Sequence, residues 1–138
     1  MNETQIQILD SAFQIIQRYG ISRSTMEDYA KAAGVSRRTL YSYYAGRDDL
    51  LRAIVDRVSE QYTIELKDRC GKTSDISDKL DVVIEILVVR PREVVDADPD
   101  SAELIFGFHA AAEAKLEEFY AENRAVIEQV LMPYAEVV

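Results

Sequence analysis

Residues 34–51 of this chain read GVSRRTLYSYYAGRDDLL, and this stretch decides the fold. It predicts a turn at Gly34, a short helix that begins after Ser36, a second turn at Gly46, and the start of another helix. Two arginines, several hydroxyl groups and tyrosines lie together on the short helix. A helix with this chemistry is suited to enter a DNA groove and to hold the phosphates beside it.

The residues before this stretch predict a first helix from about residue 3 to residue 19. Its apolar residues recur at helical spacing and would form one buried face. Thr4 and Gln7 have the spacing of a capping box at its start, and Gly20 is expected to end it.

A second helix is predicted between Thr25 and Gly34. Thr25 and Asp28 form a capping-box pattern, and Gly34 suits the left-handed conformation that commonly ends a helix. Two helices joined by a tight turn at residues 34–36 are typical of a helix-turn-helix. The alternative interpretation is an ordinary solvated face, because adjacent arginines on an exposed helix are usually just that.

After residue 46 the pattern predicts one long helix and then shorter ones. The long helix runs from about Asp48 to Cys70, and residues 72–74 form a linker by composition. A fifth helix is expected from residue 75 to residue 89, including a run rich in β-branched residues that has no partner strand. Pro91 should prevent a simple continuation of this helix, and residues 92–98 should form a short, exposed acidic loop before a further helix.

The predicted fold class is therefore all-α. We expect a three-helix helix-turn-helix domain in residues 1–47, a connecting helix in residues 48–71, and an incomplete helical ligand-binding and dimerisation region in residues 72–138.

Charge is distributed unevenly along the chain. The net charge is −9, which at first argues against a nucleic-acid binder. Residues 1–60, however, contain eight basic and eight acidic side chains, and residues 61–138 contain eight basic and seventeen acidic ones. The cations near the short helix can therefore meet DNA while the acidic second half faces away.

No apolar run approaches the roughly 20 residues that a membrane span needs, and the N-terminus lacks the order of a signal peptide. The single cysteine, Cys70, cannot form an internal disulfide. These features indicate a cytoplasmic protein in a reducing compartment.

About the first third of the chain resembles the sequence of a known protein family. Residues 6–51 resemble the N-terminal domain of the TetR family of transcriptional regulators, in the segments Ile8–Phe13, Tyr19-Gly20, Ser24–Met26, Asp28–Ala30, Ala33–Ser36, Thr39–Tyr41, Tyr43-Tyr44 and Arg47–Leu51. The departures are mild: the family often has glycine or alanine at Arg38, phenylalanine at Tyr44, lysine at Arg47 and isoleucine at Tyr29.

The resemblance implies roles for eight residues. Four would hold phosphates: Thr25, Tyr41, Tyr43 and Arg47. Four would face the major groove: Ser36, Arg37, Arg38 and Thr39. Arg37 is the first candidate for base reading, since arginine can bond guanine with two hydrogen bonds. The implied partners are a palindromic double-stranded DNA operator, a second copy of the chain in a homodimer, and a small-molecule effector of unknown identity.

The second half offers only weak ligand candidates. Phe106, His109 and Glu113 fall on neighbouring turns of one predicted helix, and the last two are four residues apart. They would suit a pocket with a polar end, although a packed helix with a surface histidine is the simpler interpretation. One histidine and one distant cysteine make a metal site improbable, and no cofactor is expected.

Two other function classes remain open. A helical interaction module that has kept the fold but not DNA binding would suit the acidic second half. An enzyme is the weakest alternative, because a lone histidine gives no nucleophile with a paired base and an orienting group.

Overall fold

The structure is a computed structural model, and it describes residues 1–102 together with Gly107, Glu113, Ala114, Glu117, Glu118, Ala121, Arg124 and Glu128. Residues 1–102 contain helices and no β-strand. The helices are α1 (Glu3–Tyr19), α2 (Met26–Ala33), α3 (Arg37–Tyr43), α4 (Arg47–Gly71), α5 (Ile76–Ile84), a π-helical segment (Glu85–Val89), α6 (Arg90–Ala97) and a 3₁₀ turn (Pro99–Ser101). The predicted all-α class is confirmed.

The bounds predicted for α1 are confirmed, but its predicted cap is wrong. Asn2, not Thr4, caps the helix: its side chain accepts a hydrogen bond from the backbone N–H of Gln5, whose side chain accepts from the N–H of Asn2. The Asn2–Gln5 pair has the same three-residue spacing as Thr4–Gln7. The helix begins at the earlier pair, which adds two residues to it, and each added residue contributes a further backbone hydrogen bond.

The helix-turn-helix forms as the sequence predicts. Thr25 and Asp28 form a reciprocal capping box at the start of α2. Gly34 ends α2 with a φ of 68°, a left-handed conformation that favours glycine. Ser36 caps α3 by accepting a hydrogen bond from the N–H of Thr39. Each helix end is thus specified by a residue within three positions of it.

One core lies beneath α1–α4. Its fully buried side chains come from all four helices, and include Ile8, Ala12, Tyr29, Leu40 and Leu50. Burying one large aliphatic side chain of this kind contributes about 1.5–3 kcal/mol. This core fixes the position of α3, whose buried residue is Leu40. We call residues 1–46 the N-terminal bundle.

The helix α4 leads out of this bundle. Arg57 on α4 donates two hydrogen bonds to Asp10 on α1, at 3.1 and 3.2 Å. At the far end Cys70 is buried, and burial raises the pKa of its thiol. A thiol held protonated in this way is a poor nucleophile, so Cys70 acts as a small apolar residue.

The prediction that residues 92–98 form a loop is wrong. Residues 90–97 form α6, which continues from α5 through the π-helical segment. A proline ring crowds the carbonyl four residues before it and offers no N–H. The wider π turn before Pro91, closed by a bond from the N–H of Arg90 to the carbonyl of Glu85, lets the chain continue in a helix.

Four charged side chains attach this segment to α4. Arg69 bonds Glu85 at 2.7 Å and Glu65 at 3.1 Å, and Arg90 bonds each of the two glutamates at 2.8 Å. The Arg90 guanidinium also lies 5.5 Å from the centre of the Tyr62 ring. The hydrogen bond from Arg69, followed by that from Arg90, lowers the pKa of Glu85 to about 2. We call residues 72–102 the post-α4 region.

Among the residues that the structure describes, no helix combines the length and the apolar composition needed to cross a bilayer. These same residues do not bring three or more His, Cys, Asp or Glu side chains together in a way that could hold a metal ion.

Candidate nucleic-acid interface

The short helix α3 presents its polar side chains outward. Leu40 is fully buried, and it anchors the helix on the core. Ser36, Arg37, Arg38 and Tyr41 are exposed, and Thr39 is half-buried. The four predicted groove-facing residues therefore occupy one end of α3 and leave a surface that a DNA groove can accommodate.

The two arginines of α3 have no ion-pair partner in the part of the chain that the structure describes. Among residues 1–102, no carboxylate lies within ion-pair distance of Arg37 or Arg38. The Arg37 guanidinium lies 5.6 Å from the centre of the Tyr41 ring, one helical turn away. A cation over an aromatic face is held by the ring without losing its outward N–H donors. Arg37 is therefore oriented by Tyr41 and can still donate to a base or a phosphate.

The hydroxyl groups near α3 and α2 already have partners. Ser36 Oγ donates to Thr39 Oγ1 at 2.9 Å, and Thr25 Oγ1 donates to the Asp28 carboxylate at 2.9 Å. Each of these hydroxyls also caps its helix. To donate to a phosphate, Thr25 must first exchange Asp28 for it, so its predicted phosphate contact needs a rearrangement of one hydrogen bond.

Tyr43 has a neighbour that the sequence did not reveal. The side-chain amide of Asn2 donates to the Tyr43 hydroxyl at 3.3 Å, which brings the start of α1 next to the end of α3. Because the hydroxyl accepts this bond, its own hydrogen remains available for a phosphate. Forty-one residues separate the two in sequence, so no local motif could have linked them.

Arg47 is half-buried at the start of α4, and its guanidinium donates to the backbone carbonyl of Ile21. The sequence assigns this side chain to a phosphate alone. In the structure it also fixes the turn between α1 and α2, and its remaining N–H groups are those that a phosphate could meet.

Of the three weak ligand candidates, Phe106 and His109 lie outside the described residues. Glu113 is helical and exposed. A cleft of about 710 Å³ lies elsewhere, between the end of α1 and α6. Its lining includes charges of both signs, among them Arg18, Arg23, Glu93 and Asp98.

Comparisons with known proteins identify the relatives of this chain. Residues 8–54 match the family model described as bacterial regulatory proteins, tetR family. The uncharacterized HTH-type transcriptional regulator YvaF of Bacillus subtilis is 31% identical over 122 residues, which cover 87% of this chain and 62% of that protein. The HTH-type transcriptional regulator TtgR of Pseudomonas putida is 29% identical over 79 residues, 57% of this chain and 35% of TtgR. The chain thus spans about three fifths or less of the length of these relatives.

Solved structures share the fold. A TetR family transcription regulator from Marinobacter aquaeolei VT8 superposes with a TM-score of 0.59 at 22% identity, covering 94% of this chain and 69% of that one. The fatty acid degradation regulator FadR from Bacillus halodurans gives a TM-score of 0.57 at 21% identity, covering 96% and 68%. Residues 8–54 of this chain are therefore similar to the helix-turn-helix domain of the bacterial regulatory proteins of the tetR family.

Proposed function

We propose that this chain is a sequence-specific DNA-binding transcriptional regulator of the cytoplasm, a repressor that binds a palindromic operator as a homodimer. The observation that carries the proposal is the exposed end of α3, where Arg37 and Arg38 have no carboxylate partner among residues 1–102. Both guanidinium groups therefore remain available for phosphates and bases, although the chain contains 25 acidic side chains. The printed names of its relatives, HTH-type transcriptional regulators, support the same function.

Each side chain of the interface has a proposed task. Arg37 reads a base in the major groove, and Arg38 adds a second cation that contacts a base or a phosphate. Ser36 and Thr39 line the groove between these contacts. Four surrounding residues hold the phosphates through their hydroxyl or N–H groups: Thr25, Tyr41, Tyr43 and Arg47.

A homodimer follows from the geometry of DNA. Two copies of α3 reach successive major grooves only when they are about 34 Å apart. A small molecule that alters this separation would lower the affinity for the operator. The proposed induction by an effector is therefore a change in the spacing of two interfaces, not a change within either one.

The test is selection of bound duplexes from a random pool, followed by a salt titration on the enriched sequence. We expect an enriched palindrome and a logarithm of affinity that falls linearly with the logarithm of salt concentration, by about 0.9 per phosphate contact. The control is a duplex of the same composition with scrambled half-sites. A pool without any enriched palindrome would contradict the proposal and favour a helical interaction module.

A further inference from the structure

The turn between α1 and α2 is contacted by a carboxylate from the post-α4 region. Asp98, at the corner between α6 and the 3₁₀ turn, accepts a hydrogen bond from the backbone N–H of Ile21 at 2.9 Å. Its other oxygen accepts from the N–H of Asp100 at 3.2 Å. The Asp98–Ile21 bond joins the N-terminal bundle directly to the post-α4 region.

Gly20 leaves room for this carboxylate. Its φ is 87°, and a Cβ built on it would lie 2.9 Å from Cγ of Asp98 and closer still to Oδ2. Any other residue would therefore displace Asp98 as well as strain the backbone. The sequence explains Gly20 as the end of α1, but the structure shows that it also admits a side chain from 78 positions further along the chain.

The same turn is tied to two other elements. The carbonyl of Ile21 accepts from Arg47 at the start of α4. Ser24 Oγ bonds the carbonyl of Gly20 at 2.7 Å and the Tyr29 hydroxyl at 2.6 Å. The side chains of Ser24 and Tyr29 are both buried. These hydrogen bonds meet in residues 20–24 and connect Asp98 to α2 and to α4.

We propose that Asp98 is a positioning residue for operator binding: it fixes the tilt of the N-terminal bundle against the post-α4 region, and hence the spacing of the two α3 helices in the dimer. This inference rests on the proposed function. Asp98 contacts no DNA in this scheme. The cleft of about 710 Å³ beside it, between α1 and α6, gives the bundle room to tilt once the Asp98–Ile21 bond is lost.

The experiment uses the full chain and a series of operators whose half-sites are separated by the selected spacing or by one base pair more or less. We expect Asp98→Ala to weaken binding at the selected spacing about tenfold, the factor that one lost hydrogen bond can supply. Binding at the altered spacings should fall less, so that the difference in affinity between the selected and the altered spacings becomes smaller. A variant that is only unstable would lose active protein, and its affinity would fall equally for all spacings.

Three further variants sharpen the test. Asp98→Asn keeps an acceptor oxygen and should retain most of the preference for the selected spacing. Asp100→Ala removes a neighbouring exposed carboxylate and should leave the affinity unchanged at every spacing. Gly20→Ala should reduce the difference in affinity between spacings as Asp98→Ala does. The same change should reduce this difference less in a chain that already has Asp98→Ala. Its own φ strain remains in both backgrounds.

The outcomes separate the two proposals. If the unmodified chain binds no duplex, the proposed function fails and this inference fails with it. If the unmodified chain binds and Asp98→Ala leaves the spacing preference intact, the inference alone is overturned.

Discussion

The N-terminal bundle and the post-α4 region are stabilised in different ways. The bundle has capped helix ends and a core with several fully buried side chains. The post-α4 region also buries apolar side chains, Ile86 among them, but it adds the half-exposed ion pairs of Glu85 with Arg69 and Arg90 and leaves Ile84 and Val88 largely exposed. Burial and caps specify one arrangement, whereas ion pairs at a surface contribute less and depend on salt and pH. The candidate DNA interface therefore lies in a region specified by caps and burial, and Asp98 lies in a region whose ion pairs add a dependence on salt and pH.

The largest expected effect comes from breaking the core of the bundle. Leu40→Ala removes a fully buried side chain and should lower the free energy of unfolding by about 2–5 kcal/mol. Leu80→Ala is the comparison at an exposed position of the post-α4 region, where the leucine is 40% exposed, and it should cost less than about 1 kcal/mol. Urea unfolding followed by circular dichroism measures both. Equal losses would show that burial of Leu40 does not determine its contribution to stability.

The next effect concerns DNA and not stability. Arg37→Ala should weaken operator binding by about 1–3 kcal/mol and relax the preference at one base position. Arg37→Lys keeps the charge but not the paired donors, so it should recover phosphate attraction without the base preference. Arg92→Ala removes another exposed arginine, from α6, and is the control.

Fluorescence anisotropy on a set of operators with single substitutions measures these affinities. Uniform binding of wild type and Arg37→Ala across the set would rule out base reading by Arg37. A loss with Arg92→Ala as large as that with Arg37→Ala would indicate a general charge effect instead.

Much of the bundle could be predicted from sequence because its signals are local. Thr25 with Asp28, Ser36 and Gly34 each specify a helix end within a few residues, and the structure confirms them. The error at the start of α1 is also local, since Asn2 and Thr4 both precede a glutamine by three residues. The choice between such patterns depends on how far the helix can extend, which a motif does not state.

The post-α4 region was predicted less well because its structure depends on distant partners. The sequence rule for Pro91 assumes an ordinary α-helix, and the π-helical segment before it removes that assumption. Glu85, within that segment, bonds Arg69, which lies 16 positions earlier on α4. Likewise Asp98 bonds Ile21 across 77 positions and Arg47 bonds the same residue across 26. The roles at the DNA interface stay predictions, because they require contacts with a partner.

A smaller change tests the hydrogen bonds beneath the turn of the bundle. Tyr29→Phe removes the hydroxyl that bonds Ser24 while leaving the ring in the core, and it should cost about 1 kcal/mol of unfolding free energy. Tyr43→Phe is the control, because its hydroxyl is at the surface and bonds only the exposed Asn2 among residues 1–102. Thermal unfolding of both variants measures the difference. A Tyr29→Phe protein as stable as wild type would show that the buried bond contributes nothing net.

The smallest expected effect is the contribution of the Glu85 carboxylate to stability, and it depends on pH. Arg69 and Arg90 lower the pKa of Glu85 to about 2 from its ordinary value of 4.5. A carboxylate with a lowered pKa stabilises the folded state fully above its ordinary pKa, and this contribution disappears as pH falls towards the lowered value. Glu85→Gln should therefore be less stable than wild type at pH 7, and the gap should narrow between pH 4.5 and about 2.

The exposed pair of Arg92 and Asp96 provides the comparison for Glu85. Both of its side chains are more than half exposed, so Asp96→Asn should change stability little at pH 7. Urea unfolding at pH 7, 4 and 3 on both variants gives the two curves. A gap between Glu85→Gln and wild type that stays constant with pH would mean that shape, and not the charge of Glu85, holds the π-helical segment against α4. In that case the buried side chains of the segment, such as Ile86, would hold it against α4, and salt should not loosen it.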